Sequence, residues 1–449
     1  MVFRRRLIFW LIKAYIKKWG KVIFFSFLGG LGIFFILVSS SSYFLRMLPF
    51  DKKESIGIVG AYRINNLPSL VSQKLSHGLT RIEKDGSIKP DIASSWEIKD
   101  NGKTYVFHLR PDVRFSDGRL LTAKQVTYDF KDVKIEYPDK QTIIFRLKDM
   151  YAPFLITVAR PIFQRGLNGL GDFRITDLKL NGNYVQSMRL TNIKNRFYSE
   201  TYYFYPSEEA VKYAFALGEI TKAVGLTDYR VKNTSIDSFP NVTIEKKVND
   251  TKLVALFYNT RDKVLSDDKI RKSLSYALPD EFKEGRRTYH SYSPTSLYYI
   301  PNRYDKRLDR EHAKLLLQAG DSKTTIPALT IQTLPKYRSV AEQIVQEWKK
   351  VQVTAKIQEV DTKPDTFQIY LGDFSIPKDP DQYVLWHSTH ENNITRLDNK
   401  RIDKLLEDGR RTVDMNERRK IYEDFQKYLS DATPATFLYL PYEYDISRN

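Results

Sequence analysis

The chain has 449 residues, 42% hydrophobic and 28% charged, which fits a large folded body of two or more lobes and excludes a disordered or fibrous protein. It has no cysteine, so disulfides, thiolate metal sites, cysteine nucleophiles and a lipid-bearing cysteine tether are all excluded. The formal charge of +18 invites a nucleic-acid reading, but beyond the first 50 residues bases and acids interleave without a long basic run, and a basic exposed surface accounts for it.

Residues 1–21 form a basic leader carrying Arg4, Arg5, Arg6, Lys13, Lys17, Lys18 and Lys21 with no acid. Its apolar stretch 7–16 is expected in the inner membrane interface. Val22 to Val38 is uncharged, and the run extends to residue 45 before Arg46. About twenty such residues at 1.5 Å each match a hydrocarbon core about 30 Å thick, so 22–45 is predicted to be a single transmembrane anchor. The basic side stays cytoplasmic and the rest of the chain is placed outside the cell membrane. A cleaved signal peptide is the alternative; the run is long for a signal core and lacks an Ala-x-Ala site.

A linker over 46–55 leads to a body divided as 56–258, 259–430 and a returning segment 431–449. Ile56 to Val59 opens a strand. Lys84-Asp85-Gly86 is a turn, and Asp100-Asn101-Gly102 joins two alternating runs, Trp96 to Ile98 and Tyr105 to Leu109, as a hairpin. Phe115 to Gly118 is a further turn, after which Thr122 is expected to cap a helix over Ala123 to Phe130. Strands are predicted at Thr142 to Leu147, Val242 to Glu245 and Leu253 to Tyr258. Helical spacing appears at Glu208 to Leu217, Lys269 to Leu278, Arg310 to Ala319, Ser339 to Val351 and Asn416 to Ser430. The mixture predicts an α/β body.

One segment carries an ordered set of marks: Gly78-Leu79, Pro90, Ala93, Trp96, Asn101 to Tyr105, Phe107, Leu109-Arg110, Phe115 to Gly118, Leu121-Thr122-Ala123 and Val126. It resembles the signature region of the family 5 extracellular solute-binding proteins, the oligopeptide, dipeptide and nickel receptors of ABC importers. Phe257-Tyr258-Asn259, Asp267 to Ala277, Tyr304-Asp305, Ala313 to Leu316, Ala319-Gly320, Asp379-Pro380-Asp381, His387-Ser388, Asn393, Asn399, Asp403 to Leu406 and Pro434 follow in the family's order. The resemblance implies a two-lobed periplasmic-binding-protein-like (type II) clamp, preceded here by one N-terminal transmembrane helix. It implies no enzyme activity and no cofactor, with a peptide or other small solute, an ABC permease and its ATPase subunits as partners. The family usually inserts several tens of residues after the position of Phe130, so the accessory subdomain is expected to be reduced, and relatives commonly continue past the position of Asn449.

In peptide-binding relatives an acid just before Asp-Pro-Asp takes the ligand's α-amine. Aligned without gaps Ile376 stands there; with a two-residue insertion Asp373-Phe374 does. Asp373 and Phe374 are thus candidate ligand residues, with an exposed turn as the bland reading of Asp373. Tyr258 and Asn259, at a strand end near the lobe crossing, face ligand or make a hinge hydrogen bond. Trp386 stacks on ligand or fills the core, and Arg271 is expected in a structural ion pair. His387, His390 and Glu391 lack metalloprotease order, and the acids at 267, 268, 379 and 381 fit caps and turns, so no metal or catalytic site is assigned.

Overall fold

The computed structural model describes residues 2–47, 52–232, 234–319 and 326–448. They fall into two compact units, one running to Lys53 and including Phe197–Ser199, the other comprising Glu54–Arg196 and Glu200–Asn449.

The first unit is built on the helix Val2–Met47. Lys13, Lys17 and Lys21 recur every fourth residue and share one of its faces. Beyond them apolar side chains are exposed all round, among them Phe24, Phe25, Leu28, Ile33, Phe34 and Phe35. The expected single span over 22–45 finds no support as one straight helix. Among the described residues no single helix is long and apolar enough to cross a membrane; Lys13–Val22 and Phe24–Phe35 pass together on length and composition, bent by 53°. The side chains of 36–52, which include the end of the expected span and most of the expected linker, lie outside the described residues.

Within the second unit, a four-stranded antiparallel sheet runs Ala93–Lys99, Thr104–Leu109, Thr142–Leu147, Val133–Glu136. The expected hairpin turn is present, with Asp100, Asn101 and Gly102 at φ 52°, 53° and 88°. That left-handed backbone is the one glycine and asparagine tolerate best. Tyr105, Phe107, Phe145 and Phe154 form its core. The helix expected over Ala123 to Phe130 is corrected to one 3-10 turn, Ala123–Gln125, closed by a Thr122/Gln125 capping box. After it Val126 and Tyr128 are buried while Thr127 and Asp129 are exposed. A period of two suits extended chain, and two turn residues later the strand Val133–Glu136 begins.

The larger sheet has twelve strands. Its path is Ala355–Glu359, Leu329–Thr333, Ile369–Ser375, Lys252–Tyr258, Ala435–Arg448, Lys222–Leu226, Lys52–Val59, Tyr198–Tyr205, Tyr184–Asn192 and Phe173–Asn181. Val242–Val248 and Gly285–Arg287 pair with Ala435–Arg448 off that path. The Lys252–Tyr258 strand is apolar on both faces because each is covered. Val254, Leu256 and Tyr258 pack with Ile344 and Trp348 of the helix Arg338–Lys349, and Leu253, Ala255 and Phe257 with Trp386 and Phe425.

Ala435–Arg448 ties the body together by changing partners along its length. Thr436 and Tyr439 pair with Leu256 and Val254, whereas Tyr442 and Arg448 pair with Val248 and Val242, and Tyr444 with Leu226. Pro441, which has no N–H to donate, sits at the changeover, and its carbonyl accepts from Asn249 N at 2.9 Å.

The expected helices form as Glu208–Leu217, Asp268–Tyr276, Arg310–Ala319, Arg338–Lys349 and Met415–Ala432.

Candidate ligand-binding cleft

A cavity of about 760 Å³ opens beside the changeover of the long strand, whose Tyr439, Pro441, Tyr442 and Tyr444 line it. Ile58, Val59 and Tyr62, at the end of the Lys52–Val59 strand, supply an apolar and aromatic portion. Its volume suits a small organic ligand.

Besides Glu443 on the long strand itself, the charged lining comes from both sides of that strand. On the Lys222–Leu226 side stand Gly225, Thr227 and the first turn of the Glu208–Leu217 helix, Glu208 and Glu209. Glu208 Oε2 accepts from Thr227 Oγ1 at 2.9 Å, while Ser207 caps the helix by accepting from Ala210 N. On the Lys252–Tyr258 side stand Lys252, Lys283, Glu284, Lys336 and Tyr337. Lys336 and Tyr337 lie in a 3-10 turn that follows the C-terminal end of Leu329–Thr333, which runs parallel to Ile369–Ser375. Loops at the carboxyl ends of parallel strands are where α/β sheets open to ligand.

Asp373 organises that side. Its Oδ1 accepts from Lys336 Nζ at 3.0 Å and from the Tyr337 hydroxyl at 2.5 Å. Burial alone would raise its pKa, but these hydrogen bonds, with Lys252 nearby, hold it below the ordinary carboxylate value. Burial and the Asp373 charge push the Tyr337 phenol far up, and burial with Glu284 does the same to Tyr439. Both phenols therefore stay protonated, the Tyr337 hydrogen being committed to Asp373.

The sequence-predicted residues separate here. Asp373 reaches the cleft only through the two residues it holds. Phe374 is on the opposite face of its strand, half-buried against Phe257 and Phe437 at ring distances of 5.8 and 6.4 Å. Tyr258 is fully buried; its hydroxyl meets Thr436 Oγ1 at 2.8 Å, and burial pushes the phenol up to about 12. Asn259 ties its strand end to a neighbour, donating through Nδ2 to Phe367 O and accepting at Oδ1 from Arg261 N, both at 3.1 Å. Trp386 is 1% exposed, donates to Gln382 Oε1 at 2.8 Å and packs against Phe437. None of these four lines the cavity: Tyr258, Phe374 and Trp386 are turned into the two cores, and Asn259 is bonded at its strand end.

Ile376 is buried as well, and the space beside it is about 20 Å³, room for one water. Composition and spacing missed Lys252, Lys283, Lys336 and Tyr337. The usable signal was Pro335 directly after a β-patterned run, which starts a turn at a strand's carboxyl end.

Other expectations resolve into structure. Arg271 is corrected from an ion pair to a carbonyl clamp, donating to Leu265 O, Ser266 O, Ala432 O and Thr433 O at 2.5–3.0 Å. Burial lowers its pKa. Asp267 caps its helix through Lys269 N. Asp379 and Asp381 each close a turn and also pair with Arg418 and Arg410. His387 is stacked on Tyr383 at 4.0 Å and contacts Thr389 and Glu407. Among the described residues no group of three or more His, Asp or Glu is arranged to hold a metal. A second cavity of about 820 Å³ is lined mainly by apolar residues such as Leu67, Pro161, Phe163 and Ile175, with Arg160 as its one charged wall residue, and offers less to orient a polar solute.

Comparison with known proteins points the same way as this geometry. The family model described as "Bacterial extracellular solute-binding proteins, family 5 Middle" matches residues 87–396. Di/tripeptide-binding protein 1 of Pseudomonas aeruginosa is 23% identical over 80% of this chain and 82% of its own. Oligopeptide-binding protein AppA of Bacillus subtilis is 24% identical over 85% and 83%. Among solved structures, the ABC transporter substrate-binding protein CtaP of Listeria monocytogenes superposes with TM-score 0.75 at 22% identity, covering 89% of this chain and 94% of that one. Bacillus subtilis AppA in complex with a nonapeptide superposes with TM-score 0.65 at 20% identity over 88% and 94%. The fold is thus the mixed α/β fold of type II periplasmic binding proteins.

Proposed function

Since the chain belongs to the bacterial extracellular solute-binding proteins of family 5, and so is a binder rather than an enzyme, we propose that it captures peptides for an ABC importer. The observation that carries this reading is the 760 Å³ cleft at the strand changeover, lined by tyrosines, lysines and glutamates. A peptide needs charged partners for its termini, hydrogen-bond donors for its backbone and roomy walls for its side chains. Tyr439 supplies a donor, and the charged residues of the two sides supply partners. Asp373 takes part by positioning Lys336 and Tyr337.

The finer reading is a membrane-tethered receptor with its body outside, delivering solute to a permease and its ATPase subunits. Its support is the acid-free basic leader followed by a helix whose apolar side chains are exposed all round. Protease added outside intact cells is expected to digest the body; full protection of it would overturn this topology.

For the main reading, the full chain is purified in detergent without denaturation, and small molecules released on mild denaturation are identified by mass spectrometry. A ladder of short peptides is the expected result. A protein that carries none and gives no thermal shift with peptide pools would refute peptide capture. It would favour a second reading, a tethered scaffold or sensor that keeps the fold without a transported ligand. The filled space beside Ile376 supports that alternative.

A further inference from the structure

Sequence resemblance places the ligand's amine at an acid in the segment 372–378. The geometry of that segment argues otherwise. The Asp373 oxygen that meets the cleft lining already holds an ammonium group of the protein's own, Lys336 Nζ at 3.0 Å, and a hydroxyl at 2.5 Å. Ile376, the other residue that aligns with the acid, has no charge and is buried. On this side of the cavity Lys252, Lys283 and Lys336 outnumber Glu284, with Glu443 of the long strand a further acid of the lining.

The opposite charge stands across the long strand, where Glu208 and Glu209 line the same cavity. Sheet order sets the distance between the two sides. The Lys222–Leu226 and Lys252–Tyr258 strands flank Ala435–Arg448 on either side, and the Leu329–Thr333 strand that leads to Lys336 lies two places further on. With strands about 4.8 Å apart, strands two to four places apart are separated across the sheet by roughly 10 to 20 Å, the length of an extended chain of about three to six residues.

We propose that the solute lies reversed relative to the orientation the resemblance implies, its carboxylate end against Lys252, Lys283 and Lys336 and its amine toward Glu208 and Glu209. It is then a short peptide whose free carboxylate is the stronger determinant of binding. Lys336 is the specificity-determining residue, because Asp373 fixes its position in the wall. This rests on the peptide-capture reading above.

The test uses the full chain in detergent and one tripeptide pool in three forms: unmodified, N-acetylated and C-amidated, with affinities read by calorimetry. C-amidation is expected to weaken binding at least tenfold and more than N-acetylation does. In Lys336→Met, whose site is exposed and whose fold is checked by circular dichroism, the unmodified and C-amidated forms are expected to bind within threefold of each other. N-acetylation costing as much as or more than C-amidation in the wild type would overturn the reversed orientation while leaving peptide capture standing. A Lys336→Met protein that still discriminates tenfold against the amide would remove Lys336 from the role. Failure of all three forms to bind would refute peptide capture itself, and this inference with it.

Discussion

Arg418→Met should be among the most destabilising single changes in the body. The guanidinium and the Asp379 carboxylate are 5% and 7% exposed and meet through two bonds, Nη1 to Oδ2 at 2.9 Å and Nη2 to Oδ1 at 2.6 Å. Nε also donates to Gly409 O at 2.8 Å. Removing the cation leaves Asp379 charged and buried beside Asp381, whose pKa burial already raises. Breaking a buried pair from one side costs about 3–5 kcal/mol. Asp379→Asn leaves the buried Arg418 cation without its anion and turns an amide NH2 toward one of its donors, so it too should cost about 3–5 kcal/mol. The double variant should cost less than the two singles together, with a coupling of about 1–3 kcal/mol.

Urea unfolding followed by tryptophan fluorescence measures all four corners of the cycle. The pH dependence gives a second reading with a fixed sign. In Arg418→Met a buried carboxylate is left without its cation, so protonating it relieves the variant's native state. Stability relative to wild type should recover as pH falls and be lost again as pH rises. A cost for Arg418→Met under about 1 kcal/mol at pH 7, or a deficit that does not shrink toward acid, would refute the buried-charge argument.

Trp386→Phe should cost roughly 1–3 kcal/mol by leaving Gln382 Oε1 without its donor, with peptide affinity unchanged within twofold; a tenfold affinity loss at unchanged stability would make Trp386 a ligand contact after all. Lys306 is half-buried, its ammonium donating to Ser430 O, and desolvation lowers its pKa to about 8 from 10.5. The native state therefore binds fewer protons between those values, and wild type should gain stability from pH 7.5 to 9.5, by at most about 3 kcal/mol, relative to Lys306→Met. A parallel pH profile in the variant would assign the gain elsewhere. Asp373→Asn should weaken unmodified and N-acetylated tripeptides alike, about tenfold, by releasing Lys336; a loss confined to the free-amine form would return Asp373 to the role of amine anchor.

Local chemistry was legible in the sequence wherever it decides structure by itself. The Asn101-Gly102 turn, the helices at 208–217 and 310–319 and the doubly buried strand at 252–258 follow from backbone preference and from which residues water rejects. These effects act over a few residues, so their pattern survives in one dimension. The basic leader and the apolar run after it are of the same kind. The extended course of Val126 to Phe130 was not legible, because a capped start predicts a helix and only packing against Phe145 and Phe154 makes the period of two the better choice. The cleft was less legible still. Trp386 read as ligand contact or core and Tyr258 as ligand contact or hinge, and both lie in the core, while Lys252, Lys283 and Lys336 drew no reading of their own and share one wall. What separates the two groups is the order of strands in the sheet and the change of partners at Pro441. Those pairings join residues nearly two hundred positions apart, and no local preference of either partner encodes which of them will meet.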